Sequence, residues 1–81
     1  MAVRITDFDE GATGGSTSVD LHWAHGFREQ SLYSGGWKSV EPSDILWKSD
    51  TELLIRYDSS YPADNYRFST VAAVKISYLP K

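Results

Sequence analysis

Asp20, His22 and His25 lie within six residues of one another in the first third of the chain, just after the hydroxyls of Ser16 and Ser18. Imidazole and carboxylate are the groups of zinc sites and of general base catalysis, and Asp20 or Glu29 could serve as a third ligand. The spacing argues against both uses. In an extended strand His22 and His25 point to opposite faces, so they share a metal only if the chain turns between them. Ser16, Ser18, Asp20 and His22 share one face and have the residue types of a hydrolytic triad, but same-face neighbours along a strand stand about 6 to 7 Å apart. A small metal-dependent or hydrolytic enzyme centred on Asp20, His22 and His25 is therefore the alternative reading. The expected catalytic, metal and cofactor sets are empty.

Two further patterns have the look of ligand loops. Asp7-Phe8-Asp9-Glu10-Gly11 begins like a calcium loop, yet residues 12–18 supply hydroxyls where further carboxylates would be needed. The glycine-rich run at residues 11–16 could cradle a phosphate, but it lacks the lysine of a P-loop and a helix to follow it. Both read as a polar turn between strands. With no cysteine in the chain, disulfides and thiolate chemistry are excluded.

The aromatic residues are the better functional lead. Three Trp, five Tyr and three Phe among 81 residues exceed what so small a core readily hides. Tyr33 and Trp37 stand beside glycines and Tyr61 lies in a polar loop, so these rings are expected at the surface. With Thr13, Gly14 and Gly15 they form the candidate binding set. Trp23 and Trp47 fall on apolar faces and are expected in the core.

A sheet must position these residues, because aromatic and β-branched side chains suit a pleated, half-buried surface. Residues 2–8 alternate, with Val3 and Ile5 on one face, and residues 16–23 alternate more cleanly, with Thr17, Val19, Leu21 and Trp23 on one side. Residues 24–40 read as mostly irregular: a turn at His25-Gly26, a short strand or helical turn at residues 27–33, a break at residues 34–36, and a short strand at 37–40 ended by Pro42. Residues 43–57 read as a hairpin at the centre of the sheet: Ile45 and Trp47 face Leu53 and Ile55 across a turn at residues 48–51. Residues 58–65 form a polar loop, residues 66–68 return to the sheet, and residues 71–79 close it. The sum is one all-β domain over residues 1–81, a small sandwich or open barrel of five to seven short, mostly antiparallel strands.

The turn and strand at residues 9–19, the hairpin at residues 45–57 and the final Val74-Lys75-Ile76-Ser77-Tyr78 are similar to a group of small bacterial all-β domains of unknown function. In that group a G-A-T-T-type turn enters an S-T-x-V strand and a W-x-x-x-x-x-L-x-I-x-Y hairpin precedes a last apolar strand. The resemblance implies an all-β fold and assigns no catalytic residue.

A net charge of −3 removes the field that attracts phosphates, so nucleic acid is not an expected partner. No apolar run approaches the roughly 20 residues that span a bilayer. The chain reads as soluble, cytoplasmic by default and exported if a signal preceded it. The expected function is non-enzymatic: a module, monomeric or weakly self-associating, that contacts a protein through exposed aromatics and glycine-rich loops. A structural subunit of a larger bacterial or phage assembly is the third reading.

Overall fold

The structure, a computed structural model, describes residues 1–9, 11, 14–60, 63, 64 and 68–81, with 63 and 64 described as backbone. It is an all-β sandwich. Strands β1 (Ala2–Asp9), β2 (Gly15–Trp23), β3 (Arg28–Gly36) and the two-residue β6 (Ala63–Asp64) form the first sheet in that order. The second sheet runs β4 (Ile45–Ser49), β5 (Glu52–Tyr57), β8 (Val74–Pro80) and the two-residue β7 (Thr70–Val71). β1 and β4 are thus each the end strand of a sheet.

Alternation builds the core. Val19 and Leu21 of β2 and Leu32 and Tyr33 of β3 meet Leu53 and Ile55 of β5 and Val74 and Ile76 of β8, all fully or almost fully buried. Trp23, Val3, Ile5, Ile45 and Tyr57 pack around this cluster, half-buried. The hairpin register is the expected one, Ile45 opposite Ile55 and Trp47 opposite Leu53. Its position is not: β4 is an edge strand, and only β5 is central. Trp47 consequently keeps 40% exposure although it points inward, because no described strand lies beyond it.

Three other segments depart from expectation. The supposedly irregular residues 24–40 contain the nine-residue β3, while residues 37–40 form turn and bend rather than a strand. A bulge between β2 and β3 leaves Leu32 without a register partner, and this extra residue lets the neighbours Leu32 and Tyr33 both face the core. Ala63 and Asp64 pair with β3 inside the expected polar loop. Of the expected return strand at residues 66–68, Tyr66 and Arg67 lie outside the described residues and Phe68 belongs to no strand.

The last apolar run is not one strand. β7 turns back on β8 through Ala72 and Ala73, with φ of 50° and 64°, and Val71 pairs with Val74. β8 then lies parallel to β5, while the other pairings among the described residues are antiparallel, so the chain crosses over between Tyr57 and Val74. Its C-terminal end is fastened twice. Lys81 N–H donates to the Tyr57 carbonyl at 2.8 Å, and Lys81 Nζ reaches Asp44 Oδ2 at 2.7 Å. Asp44 belongs to a short 3-10 turn at Pro42–Asp44, and the same Oδ2 accepts the Glu41 N–H at 2.9 Å.

Candidate functional site

The Asp20, His22 and His25 group does not assemble. Asp20 and His22 share the outer face of β2, where Asp20 Oδ1 accepts the Ser18 hydroxyl at 3.3 Å. His22 instead faces its register partner Glu29 across β3, with Nδ1 3.4 Å from Glu29 Oε2. His25 is exposed on the turn that joins β2 to β3, where Ala24, His25 and Gly26 all adopt positive φ. His22 Nε2 is buried and has no hydrogen-bond partner among the described residues. No group of three potential metal ligands occurs among those residues. The broad depression beside this turn, about 1110 Å³, is lined by Met1, Trp23, Phe27 and both histidines.

The glycine-rich loop is held together by its own acids. Asp9 Oδ1 accepts the Gly11 N–H at 2.8 Å, the Gly14 N–H donates to the Gly11 carbonyl at 3.0 Å, and the Thr17 hydroxyl donates to Asp7 Oδ1 at 2.6 Å. These carboxylates shape the turn. Gly15 and Trp37 come together: a Cβ at Gly15 would meet the Phe8 main-chain carbonyl oxygen first and would stand 2.6 Å from Trp37 Cε3, so the missing side chain makes room for the neighbouring strand and for the ring. Trp37 is half-buried there, with Lys38 Nζ 5.4 Å from its ring centroid. Gly14 is exposed with a φ of 90°. Thr13 and Tyr61 lie outside the described residues.

Tyr33 is the clear correction among the candidates. It is 0% exposed, stacked at 5.9 Å and a 36° tilt against Tyr57 of the opposite sheet, and its hydroxyl donates to the buried Ser39 Oγ at 3.1 Å. The neighbouring Gly35 explains the misreading, because a Cβ there would lie 2.6 Å from Tyr33 Cζ. The glycine is a socket for the ring and not an opening to solvent.

Other apolar groups than the candidate set reach solvent. Phe27 is 89% exposed at the tip of the β2–β3 turn, and Phe8, Leu46, Trp47 and Leu79 are exposed on strands. Trp47 has a distinctive setting. It lines a groove of about 320 Å³ with Ile45 and Pro42 on one side and Val3 and Ile5 of β1 on the other. Met1 meets Trp47, Ser49 and Asp50 at the adjoining end. Val3 and Ile5 lie opposite the buried Leu21 and Val19, and Ile45 and Trp47 opposite Ile55 and Leu53. All four therefore belong to the inner faces of their sheets. The groove is the side of the sandwich where the two edge strands leave the interior uncovered.

Asp44 is the described buried carboxyl whose chemistry is perturbed. Burial raises its pKa, but the Lys81 hydrogen bond, the Glu41 N–H and the charges of Lys81 and Arg56 together outweigh that, and the group sits below the ordinary carboxylate value. The Ser60 hydroxyl and N–H lower Asp58 in the same direction. Both serve the fold and neither faces the groove between β1 and β4. Among the described residues no helix is long and apolar enough to cross a membrane. No protein-family model matches the chain, nor does any curated protein or solved structure, so the arrangement of its own residues carries the functional argument.

Proposed function

We propose that the chain is a non-enzymatic binding module whose partner is a protein, held chiefly at the β1–β4 side of the sandwich. The observation that carries this is Trp47, a large ring that points into the interior yet stays 40% exposed beside Val3, Ile5 and Ile45. Inward-facing apolar side chains left open to water are the part of a surface that gains most from being covered. Tryptophan adds a large, rigid contact area. Asp20 takes its hydrogen bond from Ser18 and His22 turns to Glu29, which supports binding over a relay through these residues, since a relay needs its groups bonded to one another.

Affinity capture with the intact protein tests this reading, with wild type, Trp47→Ser and the outer-face variant Leu46→Ser as parallel baits. The expected result is a partner retained by wild type and by Leu46→Ser and lost by Trp47→Ser, with all three giving the same amide dispersion by NMR. Equal recovery by wild type and Trp47→Ser would overturn it.

A further inference from the structure

The groove between β1 and β4 has an apolar lining, and β1 beside it has the length to pair with an added strand. β1 ends the first sheet and β4 ends the second, so each presents one backbone edge with no described strand beside it. Such an edge is a template for another extended segment. The side chains between the two edges are apolar in the middle: Val3, Ile5, Ile45 and Trp47. The ends are acidic. Asp50 lines one end beside Met1 and Trp47. Asp7 stands at the other, two residues beyond Ile5 on the same inward face and opposite the buried Thr17. Arg4 falls on the opposite face of β1. At a rise of about 3.3 Å per residue, Met1 to Asp7 spans about 20 Å, the length of a seven-residue strand.

We infer that this seam accepts an extended strand from a partner protein, with apolar side chains at alternate positions and a lysine or arginine at either end. The inference rests on the binding-module reading above and names the partner's chemistry. Alternation follows from the groove, because only every second side chain of an inserted strand faces inward. The basic ends follow from Asp7 and Asp50. A second copy of the chain is the poorer occupant: its own β1 would bring Asp7 toward acid, and each copy carries a net charge of −3.

NMR titration of the intact protein with three capped heptapeptides tests this. The first is Lys-Thr-Val-Thr-Val-Thr-Lys, the second replaces both lysines with glutamate, and the third scrambles the first to Lys-Val-Val-Thr-Thr-Thr-Lys. Saturable shifts confined to the amides of β1 and β4 are expected with the first peptide, weaker binding with the second and none with the third. Asp7→Asn, which keeps an acceptor for Thr17, should weaken the lysine peptide by about two- to fivefold and leave the glutamate peptide no weaker. Shifts elsewhere, equal binding of all three peptides, or concentration-dependent shifts of β1 and β4 without peptide would overturn the inference, the last by giving the seam to a second copy. Failure of every peptide alongside Trp47-dependent capture of a protein removes the strand partner and leaves the binding module. Failure of both removes the module as well.

Discussion

The hydroxyl of Tyr78, on β8, donates to the main-chain carbonyl of Leu32, on β3, at 2.9 Å, so a side chain of one sheet satisfies the backbone of the other. Leu32 is the residue that the β2–β3 bulge leaves without a register partner. A bulge frees backbone groups from the ladder, and a freed group in the interior must be paired elsewhere. Tyr78 performs that service and also accepts the Phe68 N–H at 3.2 Å, drawing the crossover onto the sandwich. Tyr78→Phe keeps the ring and removes the hydroxyl. It is expected to cost about 1 to 3 kcal/mol in urea unfolding, since the carbonyl and the N–H both lose a partner. An unchanged midpoint would show that water replaces the hydroxyl without loss.

Stability should fall on acidification through one identifiable pair. Asp44 has a pKa lowered in the folded state, with its Oδ2 2.7 Å from Lys81 Nζ. A depressed carboxylate contributes stability above its unfolded pKa and loses it as pH falls through the folded value. The loss therefore begins near pH 4 and deepens below it. Chemical unfolding of wild type and Asp44→Asn from pH 6 to pH 3 should give curves that converge toward the acid end. Parallel curves would mean that Asp44 titrates alike in both states.

Local pattern was readable in this sequence, and sheet order was not. The alternation of Val3 with Ile5, of Val19 with Leu21 and of Leu53 with Ile55 marked the strands and their inward faces. That Ile45 and Trp47 would face Leu53 and Ile55 followed from the same period. Nothing local says that β4 ends a sheet, because strand order depends on a crossover 16 residues long that returns β8 beside β5. The pattern therefore places Trp47 in the core, whereas it stands at the core's open edge; Tyr33, expected at the surface, is buried because Gly35 makes room for its ring. The pattern offers for β3 at most a short strand at residues 27–33 ended by Ser34, Gly35 and Gly36, which are poor strand formers alone; pairing with β2 overrides that preference and carries the strand to Gly36. Gly15 and Trp37, two members of the candidate binding set, come together in the fold, where the glycine makes room for the Phe8 carbonyl and the ring.

Gly35 should tolerate no side chain. The ring of Tyr33 lies over it, and that ring cannot retreat, because it is enclosed by Tyr57 and anchored by its hydroxyl to buried Ser39. Gly35→Ala is expected to destabilise by about 1 to 3 kcal/mol through overpacking. In a domain of this size that lowers the melting temperature by several degrees at least. The double variant Gly35→Ala with Tyr33→Leu should recover part of the loss, since shortening the ring removes the clash. Additive losses would place the strain elsewhere.

The turn at Ala72 and Ala73 offers the opposite experiment, a gain. Both residues have positive φ, 50° and 64°, between the paired Val71 and Val74, which is the two-residue hairpin geometry that asparagine and glycine adopt readily. An alanine Cβ crowds the neighbouring carbonyl in that region, at a cost of about 1 kcal/mol or more per residue. No glycine, asparagine or aspartate marks the site, which is why the sequence reads there as continuous strand. Ala72→Asn with Ala73→Gly should raise stability by about 0.5 to 2 kcal/mol, read as a higher urea midpoint with an unchanged slope. Added backbone freedom in the unfolded chain at glycine offsets part of the gain, so Ala72→Asn alone gives the cleaner sign. A fall in the midpoint for that single variant would show that the turn does not hold residue 72 at positive φ.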